Sequence, residues 1–284
     1  MKVIEQALLE KVIIERSRTS HKGDYGRLLL LGGTYPYGGA IIMAALAAVK
    51  SGAGLVTVGT DRENIPALHS HLPEAMAFSL QDQQLLKEQL EKAEVVLLGP
   101  GLRDDAFGEN LVKQVFVNLS QNQILIVDGG ALGILAKGHL PFPFGQLILT
   151  PHQKEWERLS GIVLDNQNTE TTARALSAFL QGTILVEKDS ATRIWQAGQS
   201  DYYQLQVGGP YQATGGMGDT LAGMIAGFAG QFRQASLYER VTVATHLHSA
   251  IAQELAQEHY VVLPTEISNC LPKLMNKISQ KRLG

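Results

Sequence analysis

The chain has 284 residues, 45% hydrophobic and 18% charged, which is typical of a globular protein with a sizeable core. A formal net charge of −3 and a pI near 6.2 give no basic surface for nucleic acid, and charges interrupt the first residues, which speaks against a signal peptide. The single cysteine, Cys270, excludes an internal disulfide and a multi-cysteine metal site, and no segment has the length of a membrane span, so we expect a cytoplasmic protein without nucleic-acid or membrane partners.

The apolar pattern predicts strands and helices in alternation. Residues 27–31, RLLLL, are a continuous apolar run typical of a strand covered on both faces, and residues 40–50 predict a buried helix after it. Such alternation predicts one three-layer α/β domain over residues 1–284, with a mainly parallel central sheet and helices on both faces. The predicted strands are residues 27–31, 54–60, 95–98, 124–127, 147–149, 184–186, 193–195 and 202–205, the last ones as an antiparallel edge. The predicted helices are residues 3–15 in the N-terminal segment 1–20, then 40–50, 65–71, 81–92, 105–119, 131–136, 154–160, 169–180, 220–228, 237–258 and 265–277.

Several unusual loops follow the predicted strands, and ligands of open parallel sheets bind at the carboxyl ends of strands. The first loop, GGTYPYGGA, has the GxxxxG spacing of a P-loop, but Gly39 and Ala40 stand where Lys and Ser or Thr are needed, and GxGxxG is absent. We interpret it as a loop that approaches a ligand closely, with a plain tight turn as the alternative. The other loops are GPGLRDD at Gly99, DGGAL at Asp128, TPHQKE at Thr150 and KDSAT at Lys188.

Three polar residues in these loops each have two interpretations. His152 is either a substrate or phosphate contact or a structural hydrogen-bonding residue. Asp128 is either a helix cap or a polar site residue. Lys188 either neutralises a nucleotide phosphate or is an exposed lysine at a strand end.

A further glycine-rich loop, GGMGD, contains Gly215 and Gly216 and leads from Asp219 into a predicted helix. Free N–H groups and the helix dipole make such a helix start an anion site. Asp219 is either the N-cap of the helix or a functional carboxylate. We expect the dipole to keep it ionised, so that it cannot be an acid but can accept the proton of a substrate hydroxyl while N–H groups hold a transferring phosphoryl group.

The segment GGMGDTLAG resembles the GGxGDxLxG signature of the ribokinase-like superfamily. Together with HKGDYG, LLLGGTYPYGGA, SGAGLVTVGT, GPGL, LTPHQKE and LVEKDSATRI, in the family's order, the chain from about His21 onward resembles bacterial ADP-dependent NAD(P)H-hydrate dehydratases. The resemblance implies a ribokinase-like fold and repair of damaged nicotinamide cofactor. ADP, accompanied by Mg²⁺, would phosphorylate the hydroxyl of the S epimer of hydrated NADH or NADPH, and elimination of phosphate would restore NAD(P)H.

The resemblance also implies residue roles, with Asp219 as the base and no residue as a metal ligand. The hydrated cofactor would contact Ala40, Gly101, His152 and Asp219. The adenine nucleotide would be held by Lys188, Asp189, Ser190, Ala191, Thr192 and Gly218. The anion hole would consist of Gly215, Gly216, Met217 and Gly218.

Three motifs depart from the family pattern. LTPHQKE replaces LTPHPGE, GGMGD replaces GGTGD, and KDSAT replaces KGxxT. Met217 is compatible with an anion hole built from backbone N–H groups. Asp189 stands where the family has glycine, and it adds a side chain and a negative charge beside the expected nucleotide.

Two other functions and several further features complete the expectations. A ribokinase-like kinase of a vitamin alcohol would share Asp219 but not the HKGDYG and LTPH blocks, and a non-catalytic nucleotide-binding protein could use the same fold. The epimerase domain that precedes this module in many relatives has no room in residues 1–20, so a separate chain is expected to supply that activity. Apolar residues on the helices favour a homo-oligomer. The basic tail is interpreted as a solvated helix end and contains Lys277, Lys281 and Arg282.

Overall fold

The computed structural model of the protein describes residues 1–138 and 145–280. Its strands are β1 (Arg27–Leu31), β2 (Leu55–Thr60), β3 (Met76–Ser79), β4 (Val95–Leu98), β5 (Ile124–Val127), β6 (Gln146–Leu149), β7 (Ile184–Glu187), β8 (Arg193–Gln196) and β9 (Tyr203–Gln204). Its α-helices are α1 (Gln6–Val12), α2 (Gly38–Lys50), α3 (Asn64–His71), α4 (Gln83–Lys92), α5 (Ala106–Asn118), α6 (Gly130–Ala136), α7 (Gln153–Ser160), α8 (Thr169–Leu176), α9 (Met217–Gly230), α10 (Leu237–Leu255) and α11 (Pro264–Gln280).

These strands form one sheet in the order β3-β2-β1-β4-β5-β6-β7-β8-β9. The strands from β3 to β7 pair in parallel, whereas β8 and β9 are antiparallel. The predicted mainly parallel sheet with an antiparallel edge is therefore confirmed. The chain order reverses between β1 and β4, and this switch point places the loops that follow the two strands beside each other at the carboxyl edge.

Successive strand residues point to opposite faces of the sheet, and both faces are covered by helices. In β1, Leu28 and Leu30 pack into one core with α2, α9 and α10, while Leu29 and Leu31 pack into a second core with α5, α6 and α7. This explains why the strands are continuous apolar runs, because neither side of the sheet meets water.

Helix α9 packs very closely on α2 through small residues. A methyl group built on Gly223 would lie 2.1 Å from the Ala44 carbonyl oxygen, and one on Gly227 would lie 2.5 Å from the Ser51 Cβ. The glycines of α9 therefore serve a second purpose besides the loop at its start, since they let the helix approach the rest of the core. This contact fixes the position of the N-terminus of α9.

Several predicted boundaries differ from those of the structure. The edge strand β3 is missing from the prediction, because its apolar run is short and only Phe78 of its four residues is buried. Helices α1, α8 and α10 are shorter than predicted, and α9 begins at Met217, three residues earlier than predicted.

Two observations concern the chain as a whole. Across residues 1–138 and 145–280, no helix combines the length and the apolar character that crossing a membrane requires. Of the basic tail, Lys277 lies in the last turn of α11, whereas Lys281 and Arg282 lie outside the described residues.

Candidate active site

The loops that follow β5, β6 and β7 meet at Lys188. Its backbone N–H donates to the Pro151 carbonyl oxygen at 2.9 Å, and its Nζ donates to Asp128 Oδ1 at 2.9 Å. The Thr150 hydroxyl donates to the same Asp128 oxygen at 2.6 Å. The carboxyl edge of the sheet therefore brings Asp128 and Lys188 together as a hydrogen-bonded ion pair, and the alternative of an exposed strand-end lysine is wrong because only 19% of the Lys188 side chain is exposed.

Lys188 is the ammonium group of a cluster that contains three carboxylates. Burial alone would lower its pKa, but the charges of Asp128, Glu155 and Asp219 outweigh burial and raise it. Burial also raises the pKa of Glu155, while the Lys188 charge opposes the shift. Lys188 therefore stays protonated, and three carboxyl groups act on it.

Asp219 lies in the first turn of α9, and Gly216 is the N-cap of that helix with φ +94°. The alternative of an Asp219 helix cap is therefore wrong. Burial raises the pKa of Asp219 to about 6, with the Asp128 and Glu155 carboxylates acting in the same direction and Lys188 opposing them. Burial thus works against the ionised form that we expected at Asp219. The carboxylate is still mostly ionised at neutral pH.

The predicted anion hole surrounds the start of α9. A methyl group on Gly218 would lie 3.2 Å from Lys188 Nζ, so the ammonium group sits directly against the helix N-terminus. At Gly216, whose φ favours glycine, a methyl group would lie 2.4 Å from the Met43 sulfur. The first N–H groups of α9 and the Lys188 ammonium group together form a region of positive potential, which suits a phosphoryl group. We call this region, at Lys188 and residues 216–218, the phosphate corner.

A cavity of 530 Å³ opens beside this corner and runs to α10. Its walls include the loop after β7, the segment 207–213 before α9 and the first turn of α9. Most of the residues predicted for the nucleotide and the anion hole line this cavity, namely Lys188, Asp189, Ser190, Thr192, Met217 and Gly218. The other three predicted residues, Ala191, Gly215 and Gly216, do not line the cavity.

The Asp189 side chain finds its partners within the segment that joins β7 to β8 and at the start of β8. Its Oδ1 accepts a hydrogen bond from the Ser190 hydroxyl at 2.7 Å, and its Oδ2 lies 3.7 Å from an Arg193 nitrogen. Burial would raise the pKa of Asp189, but the hydrogen bonds from Ser190 and Ala191 and the charge of Arg193 lower it. Phe232 is the one non-glycine residue with positive φ among those that the structure describes, so the backbone at Asp189 does not require glycine.

Of the predicted substrate contacts, Ala40 and Gly101 lie at the switch point, and none of the four lines the 530 Å³ cavity. A methyl group on Gly101 would lie 3.0 Å from the Ala40 Cβ, so these two positions adjoin. The Gly101 carbonyl oxygen accepts from the Thr34 N–H at 2.9 Å, which ties the loop after β4 to the loop after β1.

His152 has the structural role that the sequence left open. It is the N-cap of α7, where its Nδ1 accepts from the Lys154 N–H at 3.1 Å and the Glu155 N–H at 3.3 Å. Glu155 in turn accepts from the His152 N–H at 2.8 Å. The side chain is 55% exposed and its Nε2 makes no hydrogen bond in the cap, so a ligand can still reach that nitrogen.

Two features of the site escaped the sequence interpretation. Glu155 completes the capping box with His152 and points into the charged cluster, and the H-x-x-E spacing is its only sequence signal. His248 lies on a buried face of α10, lines the cavity and is 4% exposed, and nothing in the sequence separates it from an ordinary core histidine. Its Nδ1 is 3.5 Å from Gln212 Nε2, and burial, together with the Lys188 charge, lowers its pKa to about 4 against the effect of a backbone hydrogen bond with Met217. A neutral imidazole thus lines the cavity close enough to Lys188 for the ammonium charge to act on it.

The fold and the phosphate corner at α9 define the class of the protein as ribokinase-like. A ribokinase-like superfamily protein from Enterococcus faecalis V583 superposes with a TM-score of 0.94 at 41% identity, covering 98% of this chain and 96% of that one. The ADP/ATP-dependent NAD(P)H-hydrate dehydratase from Bacillus subtilis, co-crystallized with ATP/Mg²⁺, superposes with a TM-score of 0.82 at 29% identity, covering 96% and 97% of the two chains.

Sequence comparison narrows the class to one family. The family model for NAD(P)H-hydrate dehydratase matches residues 28–273. The ADP-dependent (S)-NAD(P)H-hydrate dehydratase of Streptococcus pneumoniae (strain ATCC BAA-255 / R6) is 84% identical over 281 residues, which are 99% of this chain and 97% of that protein. The chain belongs to the NAD(P)H-hydrate dehydratase family, and the resemblance inferred from its motifs is confirmed.

Proposed function

We propose that this chain uses ADP to dehydrate the S epimer of hydrated NADH or NADPH. The β-phosphoryl group passes from ADP to the substrate hydroxyl, whose proton is lost, and AMP leaves. Expulsion of phosphate from the carbon, with loss of a proton from the neighbouring carbon, then restores the double bond of the nicotinamide ring. The observation that carries the proposal is the corner where Asp219, Lys188 and the first N–H groups of α9 meet.

In this proposal Asp219 is the base that accepts the proton of the substrate hydroxyl. A pKa of about 6 supports the role, because the carboxylate is ionised at neutral pH and yet more basic than an ordinary aspartate. The N–H groups of Gly215, Gly216, Met217 and Gly218 would hold the phosphoryl group in transfer, with the Lys188 ammonium group beside them.

The two substrates would approach this corner from different sides. The 530 Å³ cavity supports binding of ADP, with its phosphates toward Lys188 and Gly218 and the rest of the nucleotide along the cavity. The loop residues Asp189, Ser190, Ala191 and Thr192 would hold the nucleotide on one wall. The hydrated cofactor would lie over the switch point, against Ala40, Gly101 and His152.

Mg²⁺ would enter with the nucleotide and shield the charge of its phosphate oxygens. No group of three His, Cys, Asp or Glu side chains in residues 1–138 and 145–280 is arranged to hold a metal ion. We assign no metal ligand in this proposal. The excess of carboxylates over ammonium groups around Lys188 is compatible with a cation that arrives bound to ADP.

Three features of the whole protein belong to the same proposal. The chain would act as one domain, and it would assemble as a homo-oligomer in the cytoplasm. Because the S epimer alone would be used, a separate epimerase would have to convert the R epimer. Its substrate would be the same hydrated cofactor.

The test is direct assay of hydrated NADH, as separated epimers, with ADP and Mg²⁺. We expect the NADH absorbance to return with the S epimer, together with one AMP and one phosphate per NADH. Absence of turnover with either epimer would refute the proposal. Phosphorylation of a vitamin alcohol instead would favour the kinase alternative, and nucleotide binding without any turnover would favour the non-catalytic one.

Replacement of the base tests the mechanism. Asp219→Asn should lower kcat by about 10²- to 10⁴-fold, because a positioned base contributes that much, while ADP still binds. Steady-state kinetics and calorimetric titration with ADP measure the two effects. Near-normal activity of this variant would remove Asp219 from the role of base. Glu170→Gln, which removes an exposed carboxylate paired with Arg174, is the matched control and should change neither.

A further inference from the structure

Asp128 is a buried carboxylate whose hydrogen-bond partners belong to the site. Its side chain is 3% exposed, and its Oδ1 accepts from Lys188 Nζ at 2.9 Å and from Thr150 Oγ1 at 2.6 Å. The following helix, α6, has Gly129 as its N-cap and receives no side-chain cap. The helix-cap interpretation of Asp128 is therefore wrong, and a charge that is costly to bury has been retained for another reason.

The Lys188 ammonium group has a choice of partners. The carboxylates of Asp128, Glu155 and Asp219 all act on it electrostatically. Within the part of the chain that the structure describes, its hydrogen bond goes to Asp128 and not to either of the other two. The ammonium group is thereby held against Gly218, at the N-terminus of α9, without a direct bond to the carboxylate one residue further on.

We propose that Asp128 is a positioning residue, which holds Lys188 at the phosphate corner and prevents it from forming a direct ion pair with Asp219. The inference rests on the proposed function, in which Asp219 is the base. Thr150 assists by fixing the orientation of the Asp128 carboxylate. This hydroxyl is itself buried, with 1% of the residue exposed.

The consequence for the reaction follows from simple electrostatics. Without the Asp128 carboxylate, the nearest uncompensated acids for the ammonium group are Asp219 and Glu155. A direct Lys188–Asp219 pair would stabilise the ionised form of Asp219 and make it a weaker base. The same movement would withdraw a positive charge from the transferring phosphoryl group. Asp128 thus keeps the cation and the base of the site apart.

The experiment compares the pH dependence of two isosteric variants. In Asp128→Asn we expect kcat to fall at least about tenfold and the acidic limb of the kcat/KM profile to move to lower pH, because Asp219 loses a repelling charge and gains a pairing one. In Lys188→Met we expect the limb to move to higher pH. The groups that face Asp219 from the packed elements are Asp128, Lys188 and Glu155, so shifts of opposite sign identify the first two.

A second readout does not require turnover. The pKa of the Asp219 carboxyl, measured by carbon NMR of the labelled side chain, should fall in Asp128→Asn and rise in Lys188→Met. This pKa measurement separates failure of the inference from failure of the proposed function, because the pKa can be measured even if hydrated NADH is not the substrate. Thr150→Val, which removes one donor to Asp128, should shift the pKa in the same direction as Asp128→Asn but less, and it serves if Asp128→Asn does not fold.

Two outcomes would overturn the inference. One is an Asp128→Asn enzyme with unchanged kcat and an unchanged acidic limb. The other is a reduced kcat with no movement of the limb or of the Asp219 pKa, which would mean that Asp128 only supports the fold. Glu170→Gln again provides the control for loss of an exposed carboxylate, one that is paired with Arg174, and its Asp219 pKa should equal that of the unmodified chain.

Discussion

The Asp219 carboxyl group titrates close to neutral pH, because burial and the charges of Asp128 and Glu155 raise its pKa to about 6 against the effect of Lys188. A base must be ionised, so kcat/KM should rise tenfold per pH unit below about 6 and level off above it. Rate measurements at saturating ADP between about pH 5 and about pH 8 test this. A profile that stays flat down to about pH 5 would contradict a raised pKa.

The raised pKa also has a consequence for stability. The pKa of Asp219 is about 6 in the folded chain and near 3.8 in the unfolded chain, so the folded chain holds the proton more tightly. Ionisation of Asp219 therefore lowers the stability of the fold as pH rises from 3.8 to about 6, and the loss remains at higher pH. A pKa difference of one unit between the folded and unfolded chain corresponds to about 1.4 kcal/mol, and partial exposure of Asp219 to water reduces the effect. We therefore expect Asp219→Asn to raise the free energy of unfolding by about 2 kcal/mol at pH 8. Below pH 4 the gain should vanish.

Urea unfolding of both proteins at the two pH values measures this difference. A gain of equal size at pH 8 and below pH 4 would mean that the asparagine stabilises the fold by packing rather than by removing a charge. The prediction is independent of substrate identity, since it concerns the carboxyl group alone.

At the scale of single elements, the buried strands could be predicted to within a residue or two. Strands such as β1, β4 and β5 match their predicted limits because continuous apolar runs end abruptly at glycine or at a charged residue. The edge strand β3 could not be predicted, since a strand with one covered face and little burial has no distinctive pattern. Helix ends depend on caps and tertiary contacts, and α9 gains a turn at its start because Gly216 supplies a left-handed cap.

The site was predictable to the extent that parallel strands gather their following loops at one edge. That rule brings Asp128, Thr150 and Lys188 together. It does not say which oxygen the Lys188 ammonium group selects, nor that burial raises the pKa of Asp219, because both depend on distances between elements far apart in the chain. His248 was missed for the same reason, since its value lies in the cavity that it faces and not in its neighbours along α10.

The close packing of α9 on α2 can be tested by substitution of a glycine in α9, the helix whose N-terminus forms the phosphate corner. Gly223→Ala should lower the free energy of unfolding by about 1 to 3 kcal/mol, because its methyl group would lie 2.1 Å from the Ala44 carbonyl oxygen and the helices must separate. The matched control is Gly133→Ala in α6, whose nearest neighbour would be 3.5 Å away and which should gain up to about 1 kcal/mol from helix propensity. Chemical denaturation measures both. Equal effects of the two substitutions would contradict the close packing.

At the scale of the whole molecule, the two cores are joined through the strands themselves. Alternate residues of one strand belong to opposite cores, as Leu97 and Leu98 of β4 do. If one core is lost, the face of the sheet that it covers becomes exposed to water. The strands of that sheet also carry the side chains of the other core, so the other core cannot stay intact. The active-site corner combines loops from the sheet with the start of α9, so it depends on this joint structure.

We therefore expect the chain to unfold as one cooperative unit that responds as a whole to ADP. Calorimetry should show a single transition, and ADP at about 100 times its dissociation constant should raise the free energy of unfolding by about 2.7 kcal/mol, because ligand binds the folded state alone. Circular dichroism at backbone and aromatic wavelengths should report the same shift, since Trp156 and Trp195 both lie in the core that contains α7. Two resolved transitions, with ADP moving only one of them, would show instead that the site belongs to a separately folding part and that the single-domain proposal is wrong.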